Sequence, residues 1–515
     1  MILGIDAGTT SVKTVLYNDD YEAVASGTEE YPLLTPHPDW VETDPDIYWR
    51  SLKTLLQRMR STLGVSKLDI RALAISSQGE SFVVIDKMGQ PLRNTIVWLD
   101  NRSRKEADLI RDQFDADIIY HITGCPEVIP CWDSTKLLWL RKNEPDLFGK
   151  IHKILLIEDY LIYKLTGVFA CTGSLYCESL LYDIINNKWW SDMLDFIGIS
   201  PDQLPSLHPS GVQVGEVTTG AAEELGIAKG CSVVSAGEDQ ACGCIGTGNI
   251  SAGMVTENTG SAINVIVTTD KPVFDQQRRF PCLSHVITGK YMALPWDKTA
   301  GMILKWFKDN LCEQLVIKAR ENGFDAYELI TQDLDKVPPG SNGIILLPFF
   351  DGTLSPEMDE NARGVFYGLN LSTRREHLVR SILESVSYML RAIIEMVETT
   401  GIEVQEIIAS GGASKSPLWN QIKADVVGKT IVTVKNQDSG CLGAAILAGV
   451  GTSLLGSVHQ ACDSIIERDR FYEPDPNNGA VYKRQYTIYR ELYDRLKPLF
   501  KKSSIRSVAE AHPSP

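Results

Sequence analysis

Short apolar runs alternate with polar, glycine-bearing breaks along most of the chain. Residues 2–5 (Ile-Leu-Gly-Ile) predict a buried strand running into Asp6-Ala-Gly-Thr-Thr-Ser11. Residues 12–16 resume the strand before the turn signal Asn18-Asp19-Asp20. Asp44-Pro-Asp46 predicts a helix start, with Asp44 as cap, Pro45 at the first helical position, and Ile47, Trp49, Leu52, Leu55 and Leu56 on the apolar stripe. Further short strands are predicted at residues 73–76, before the break Ser77-Gln-Gly-Glu-Ser81, at 82–85, and at 231–236, ending in Gly237-Glu-Asp-Gln240. A second turn of glycine and hydroxyls, Asn258-Thr-Gly-Ser261, lies between predicted strands at 253–256 and 263–267 and echoes the N-terminal unit, as two facing α/β halves would.

The remaining elements continue this mixture. Residues 344–349 predict a buried strand, and 376–400 a long helix closed by Gly401. A strand at 407–409 leads into Ser410-Gly-Gly-Ala413, and Ser416-Pro417 opens a helix through Val427. Residues 443–450 form a helix of small residues suited to close packing, and from Lys501 the chain is polar, basic and without periodicity.

Composition narrows the classes. The 515 residues, at roughly 150 per domain, allow about three domains, or two of about 250. With 43% hydrophobic and 23% charged residues the chain is globular, not disordered or collagen-like. A net charge of −16 argues against nucleic acid as a partner but leaves room for a nucleotide in a local site. Eleven cysteines, an odd number, with no targeting segment predicted ahead of the first strand, read as free thiols in a reducing cytoplasm. Cys242 and Cys244 have no second cluster to complete a metal site, the histidines show no ligand spacing, and no apolar run reaches the roughly 20 residues of a membrane span.

Three breaks carry candidate chemistry. In Asp6-Ala-Gly-Thr-Thr-Ser11 the glycine admits a phosphate, amides and hydroxyls donate to it, and the carboxylate can hold Mg²⁺. The plain alternative is a hairpin turn, and no Walker A sequence is present. Gly411 and Gly412 follow a strand and could let backbone lie against a base or ribose, although a glycine pair there is common. Asp239, at a strand end in a glycine-rich crevice, has the placement of a general base; the alternative is an N-cap for the helix that follows.

Taken together the chain resembles the FGGY carbohydrate kinases, on the fold shared by actin, Hsp70 and sugar kinases. The resemblance is carried by Gly4 through Lys13; Asp39-Trp-Val-Glu42 with Asp44-Pro45; Trp98-Leu-Asp-Asn-Arg102; Asp159-Tyr160 with Leu165-Thr-Gly167; Ala236 through Gln240; Thr259-Gly-Ser261; and Gly411 through Gln421 with Ala424-Asp425. Gly364-Val-Phe-Tyr-Gly-Leu369, with His377-Leu378 and Ser381-Ile-Leu-Glu384, fits one family signature throughout. A second signature fits only in part: Lys136, Trp139 and Leu140 are present, but Asp133 replaces a small residue.

The resemblance implies two ribonuclease H-like (actin-like ATPase) α/β domains flanking a deep cleft: 1–245 for sugar and catalytic base, 246–500 for nucleotide, and a flexible tail at 501–515. It implies ATP and Mg²⁺, the ion on Asp6. Thr9, Thr10 and Lys13 belong to the phosphate turn, Thr259 and Gly260 would hold the transferred phosphate, and Gly411, Gly412 and Ala413 would line the adenosine pocket. Asp239 becomes the catalytic base, and Gln78, Glu80, Trp98, Asp100, Arg102 and Gln240 form or support the sugar pocket, Arg102 having the alternative of pairing with a neighbouring carboxylate. Gly79 lacks the arginine of glycerol kinases, and Gln78-Gly79-Glu80 differs from the Gln-Met-His of xylulose kinases. The space at Gly79 and the carboxylate of Glu80 favour phosphorylation of an uncharged ketopentose such as xylulose. The alternatives are a glycerol or tetritol kinase, or a silent nucleotide-binding regulator or chaperone-like ATPase. A cytoplasmic enzyme with no nucleic-acid or membrane partner is expected, and a homodimer is one assembly the resemblance allows.

Overall fold

The computed structural model describes residues 1–436 and 438–502. They form two compact units, neither continuous in sequence: Met1–Ala252 with Thr268–Ala293 and Asn436–Glu467, and Gly253–Val267 with Leu294–Lys435 and the segment from Arg468.

The first unit is built on a six-stranded sheet. Its strands are β1 (Ile2–Ala7), β2 (Ser11–Tyr17), β3 (Ala23–Glu30), β4 (Ala72–Ser77), β5 (Gln213–Glu216) and β6 (Ser232–Glu238), in the order β5-β6-β4-β1-β2-β3. β1, β4 and β6 are parallel neighbours, and β2 returns antiparallel beside β1. Period-two alternation sorts β1 between the two faces of the sheet. Leu3 and Ile5 enter a core with Leu52, Leu55, Leu73, Ile75 and Leu161, whose helices are Ile47–Leu63 and Ile157–Thr166. Gly4 faces the other way, onto the helix Ser439–Gly451, where a Cβ would stand 1.9 Å from the Cys441 carbonyl oxygen. That helix is rich in Gly and Ala because it presses on both the sheet and the helix Asp239–Thr247; a Cβ on Gly443 would lie 1.9 Å from the Cys242 carbonyl. This packing is why Asn436–Glu467 belongs to the first unit.

The second unit repeats the plan. Strands β7 (Met254–Thr259), β8 (Ile263–Thr269), β9 (Glu406–Ser410), β10 (Ile431–Val434) and β11 (Arg468–Tyr472) run in the order β8-β7-β9-β10-β11. Again an antiparallel hairpin (β7 and β8) is followed by parallel neighbours (β7, β9 and β10). The helices Arg375–Glu398 and Pro417–Val427 pack together, and Ser416 caps the latter by accepting from the Trp419 amide at 3.3 Å.

Three local expectations shift. The first helix starts at Ile47 and not at Pro45, because the Asp44 carboxylate accepts the Asp46 amide (3.0 Å) and holds a turn ahead of it. The long helix ends at Glu398, capped at Thr399, with Gly401 (φ 86°) two residues beyond. Lys501 and Lys502 complete the helix Pro476–Lys502, and the rest of the expected tail, 503–515, lies outside the described residues.

Candidate active site

In the first unit the parallel strands bring three sequence-distant breaks to one edge. Register sets Asp6 beside Ser76 and Ser76 beside Gly237, so Asp6, Gln78 and Asp239 all emerge at the C-terminal ends of β1, β4 and β6. Strand ends of this kind are where α/β sheets bind ligands.

Asp239 opens the helix Asp239–Thr247 but does not cap it. Glu238 is the cap, accepting the Ala241 amide at 2.9 Å, and Asp239 instead accepts from Gln240 Nε2 at 2.7 Å. Asp6 receives the Ser76 hydroxyl at 3.4 Å. Burial, then the nearby Asp239 carboxylate, push Asp6 up to about 7 against the opposing Ser76 hydrogen bond and the Lys13 charge. Lys13 faces Asp6 across the hairpin and pairs with Asp438. Burial acts to lower the Lys13 ammonium, but Asp438 outweighs it and holds it above its ordinary value.

The phosphate-turn candidates are tied to the sugar-pocket candidates. Trp98 Nε1 donates to Thr9 Oγ1 at 2.8 Å, while Thr10 is exposed. Gln78 is buried, donating to the Gly8 carbonyl (3.0 Å) and the Tyr48 hydroxyl (3.1 Å) and accepting from Ser81 (3.2 Å), so its amide steadies the turn.

Asp100 and Arg102 lie apart from this edge chemistry. Their side chains are 0% exposed and form a two-pronged pair at 2.7 and 2.8 Å. Asp100 also accepts the Val41 amide (2.6 Å), and Arg102 binds Glu42 (2.6 Å) and lies 3.7 Å over the Trp40 ring. The pairing alternative for Arg102 is the arrangement seen, and neither side chain opens to solvent.

Glu80, half-buried at φ 53°, is the centre of an acidic group that sequence reasoning saw only in part. Burial, then Glu178, then Asp133 hold its carboxyl well above the usual range, against Lys136. Lys136, fully buried, donates to the Glu80 carbonyl at 3.0 Å. Glu178, whose charge acts on Glu80, was missed because a lone Glu after Cys177 carries no motif; the one signal was Asp133 standing where the second signature has a small residue.

In the second unit, Asn258 pairs with Ser410, which sets the turns after β7 and β9 side by side. Thr259 turns its hydroxyl inward to Glu257, and Glu257 is bound by Lys423 at 2.8 Å with both side chains 0% exposed. Gly260 offers its carbonyl to the Gly301 amide at 2.9 Å. Gly411 needs its glycine: at φ 75° a Cβ would stand 2.3 Å from Asn258 Oδ1. Gly412 faces open space and Ala413 is buried.

Among the described residues no group of three or more His, Cys, Asp or Glu is arranged to hold a metal, and no helix is long and apolar enough to cross a membrane. None of the 11 cysteines, all of them among the described residues, forms a disulfide. A single carboxylate such as Asp6, crowded by a second negative charge, fits a Mg²⁺ that keeps waters and phosphate oxygens as its other ligands.

Residues 1–246 match the N-terminal domain, and residues 256–452 the C-terminal domain, of the FGGY family of carbohydrate kinases. The chain belongs to that family and is a carbohydrate kinase, an enzyme that uses ATP. It is 28% identical over 498 residues to a xylulose kinase of Bacillus subtilis (strain 168), covering 97% of each chain. It is 29% identical over 495 residues to a gluconokinase of the same organism, covering 95% of each. The crystal structure of xylulose kinase from Rhodospirillum rubrum superposes with a TM-score of 0.87 at 28% identity, covering 97% of this chain and 99% of that one.

Proposed function

We propose that this kinase transfers the terminal phosphoryl group of ATP to a hydroxyl of a small sugar, a ketopentose such as xylulose, with Asp239 as general base. The observation that carries the reading is the placement of Asp239: Glu238 takes the capping task, and Asp239 is left at the strand edge beside Asp6, oriented by Gln240. A sugar hydroxyl ionises far above neutral pH, so the carboxylate accepts its proton as the oxygen–phosphorus bond forms, an effect of roughly 10²–10⁴ in rate. In-line placement of acceptor, phosphorus and leaving oxygen supplies the rest.

In this reading Glu80 and Trp98 meet the sugar, Gln78 fixes the turn beneath it, and Asp100 and Arg102 support the pocket wall. Thr9, Thr10 and Lys13 serve the phosphate end. Thr259 and Gly260, with Gly411, Gly412 and Ala413, bind nucleotide. Thr259 acts there through its backbone, since its hydroxyl is given to Glu257. Asp6 would hold Mg²⁺, which neutralises charge on the phosphates when bound.

The relatives carry names for both a neutral sugar and a sugar acid, so similarity alone leaves the substrate open. Glu80 and the small Gly79 support a neutral acceptor longer than glycerol. A coupled ADP-release assay over ketopentoses, tetritols and glycerol tests this. The highest kcat/KM is expected for a ketopentose; a glycerol or tetritol value about tenfold above every ketopentose would overturn it.

A further inference from the structure

Strand β6 carries one residue more than its neighbour just ahead of Asp239. Val234 pairs with Ala74 and Gly237 with Ser76, so three steps along β6 face two along β4. A bulge of this kind draws back what lies beyond it by one residue, about 3.3 Å, and turns it to the other face of the sheet. Glu238 therefore stands level with Ser77, and Asp239 follows it at the sheet edge. Three groups hold the bulge. On the β5 side Ser235 accepts the Gly211 amide (2.8 Å) and donates its own to the Val212 carbonyl (3.0 Å), and its hydroxyl donates to the Pro209 carbonyl at 2.8 Å. Gly237, at φ 134°, is crowded by Val286, Ser174 and Thr172, each with an atom within 3.1 Å of where a Cβ would stand. Between these two residues the Ala236 amide donates to Glu158 Oε1 at 2.6 Å.

Glu158 is fully buried on the helix Ile157–Thr166, and that helix is pinned beside it: Asp159 accepts from the Leu156 amide (2.9 Å) and the Tyr176 hydroxyl (2.7 Å). Among the described residues the Ala236 amide is the one hydrogen-bond partner of the Glu158 carboxyl, and Oε2 has none. Burying an acid for a single hydrogen bond costs stability relative to an apolar side chain, so packing does not account for it. We propose that Glu158 is a positioning residue for phosphoryl transfer: its carboxyl fixes the bulge of β6 and thereby the reach of Asp239. The inference rests on the reading of Asp239 as general base. Glu158 acts through the backbone, on an amide three residues ahead of that base, and a misplacement of about 1 Å at a reacting group is enough to cost about 10²-fold in rate. Burial, then the Asp159 charge, hold the Glu158 carboxyl well above its usual range against the Ala236 hydrogen bond, which makes glutamine its near match.

The test is the steady-state kinetics of ADP release by the full chain with the best acceptor of the ketopentose, tetritol and glycerol panel. Glu158→Gln keeps an acceptor oxygen in place, and Glu158→Met keeps the length of the side chain and removes the acceptor. Glu158→Met is expected to lower kcat about 10–100-fold with the KM for sugar and for ATP within about threefold of wild type, and Glu158→Gln to restore kcat to within about threefold. On an Asp239→Asn background Glu158→Met is expected to cost no more than about threefold further, because the group it aims is gone. A folded Glu158→Met with wild-type kcat overturns the inference, as does a change confined to KM or the same loss on both backgrounds. Where Glu158→Met does not fold, Glu158→Asp draws the acid back by one methylene and is expected to give the same split at about tenfold; wild-type kcat there overturns the inference. Turnover by Asp239→Asn within about tenfold of wild type would overturn the base itself, and the inference with it. An inactive Asp239→Asn beside an active Glu158→Met overturns the role of Glu158 alone.

Discussion

Asp239 owes its availability to Glu238. A helix start needs an acceptor for its first amides, and two adjacent acidic residues compete for that task. Glu238 wins because it ends the strand in extended geometry, and Asp239, inside the helix, projects at the edge. Sequence alone leaves those two roles interchangeable, which is why the residues by themselves read Asp239 first as a cap and only the family resemblance made it the base. Arg102 is the opposite case. Its motif is legible, but its guanidinium is sealed between Asp100, Glu42 and the Trp40 ring. Removing it strands a buried carboxylate, so Arg102→Ala is expected to cost about 3–5 kcal/mol, read as a lower urea midpoint. A variant of wild-type stability with only a raised sugar KM would give Arg102 a direct substrate contact instead.

The strand ends show what periodicity conveys at the scale of elements. Strands β1, β4, β6, β7, β8 and β9 all lie where short apolar runs predict them, because such runs bounded by glycine and hydroxyls have few other uses. Their order was not legible from the runs themselves: that β6 lies beside β4, and so carries Asp239 to Asp6, is a long-range pairing that only the family resemblance implied. The signature around Ser381 and Glu384 was also legible, yet Glu384 serves structure, buried against Arg380, Ser341 and Tyr482 at 2.8–3.1 Å. The small-residue helix was read correctly as a close-packing element, and its partner is the helix that begins with Asp239. Gly443→Ala forces a methyl against the Cys242 carbonyl and is expected to destabilise by about 1–3 kcal/mol and to lower kcat by shifting Asp239. An unchanged melting temperature and kcat would show that this contact does not position the base.

Across the molecule, buried carboxyls set the response to pH. Asp159, fully buried, is pushed up to about 8 chiefly by burial, although it accepts from Tyr176 (2.7 Å) and the Leu156 amide (2.9 Å). The folded state holds a proton there that the unfolded chain releases near pH 4, so stability falls as pH rises from about 4 to about 8, by roughly 1 kcal/mol per unit for this group. Asp6 and Asp133, pushed up to about 7, act in the same direction. The urea midpoint is expected to be higher at pH 6 than at pH 8, and Asp159→Asn to shrink that difference. A midpoint that rises with pH would contradict the assignment.

Phosphoryl transfer by Asp239→Asn, with nucleotide binding measured on the same protein, tests the central assignment most directly. The expected result is a loss of about 10²–10⁴ in the rate of ADP release with sugar, while ATP binds within about threefold of wild type. Turnover retained within about tenfold would contradict it and remove Asp239 from the role of base.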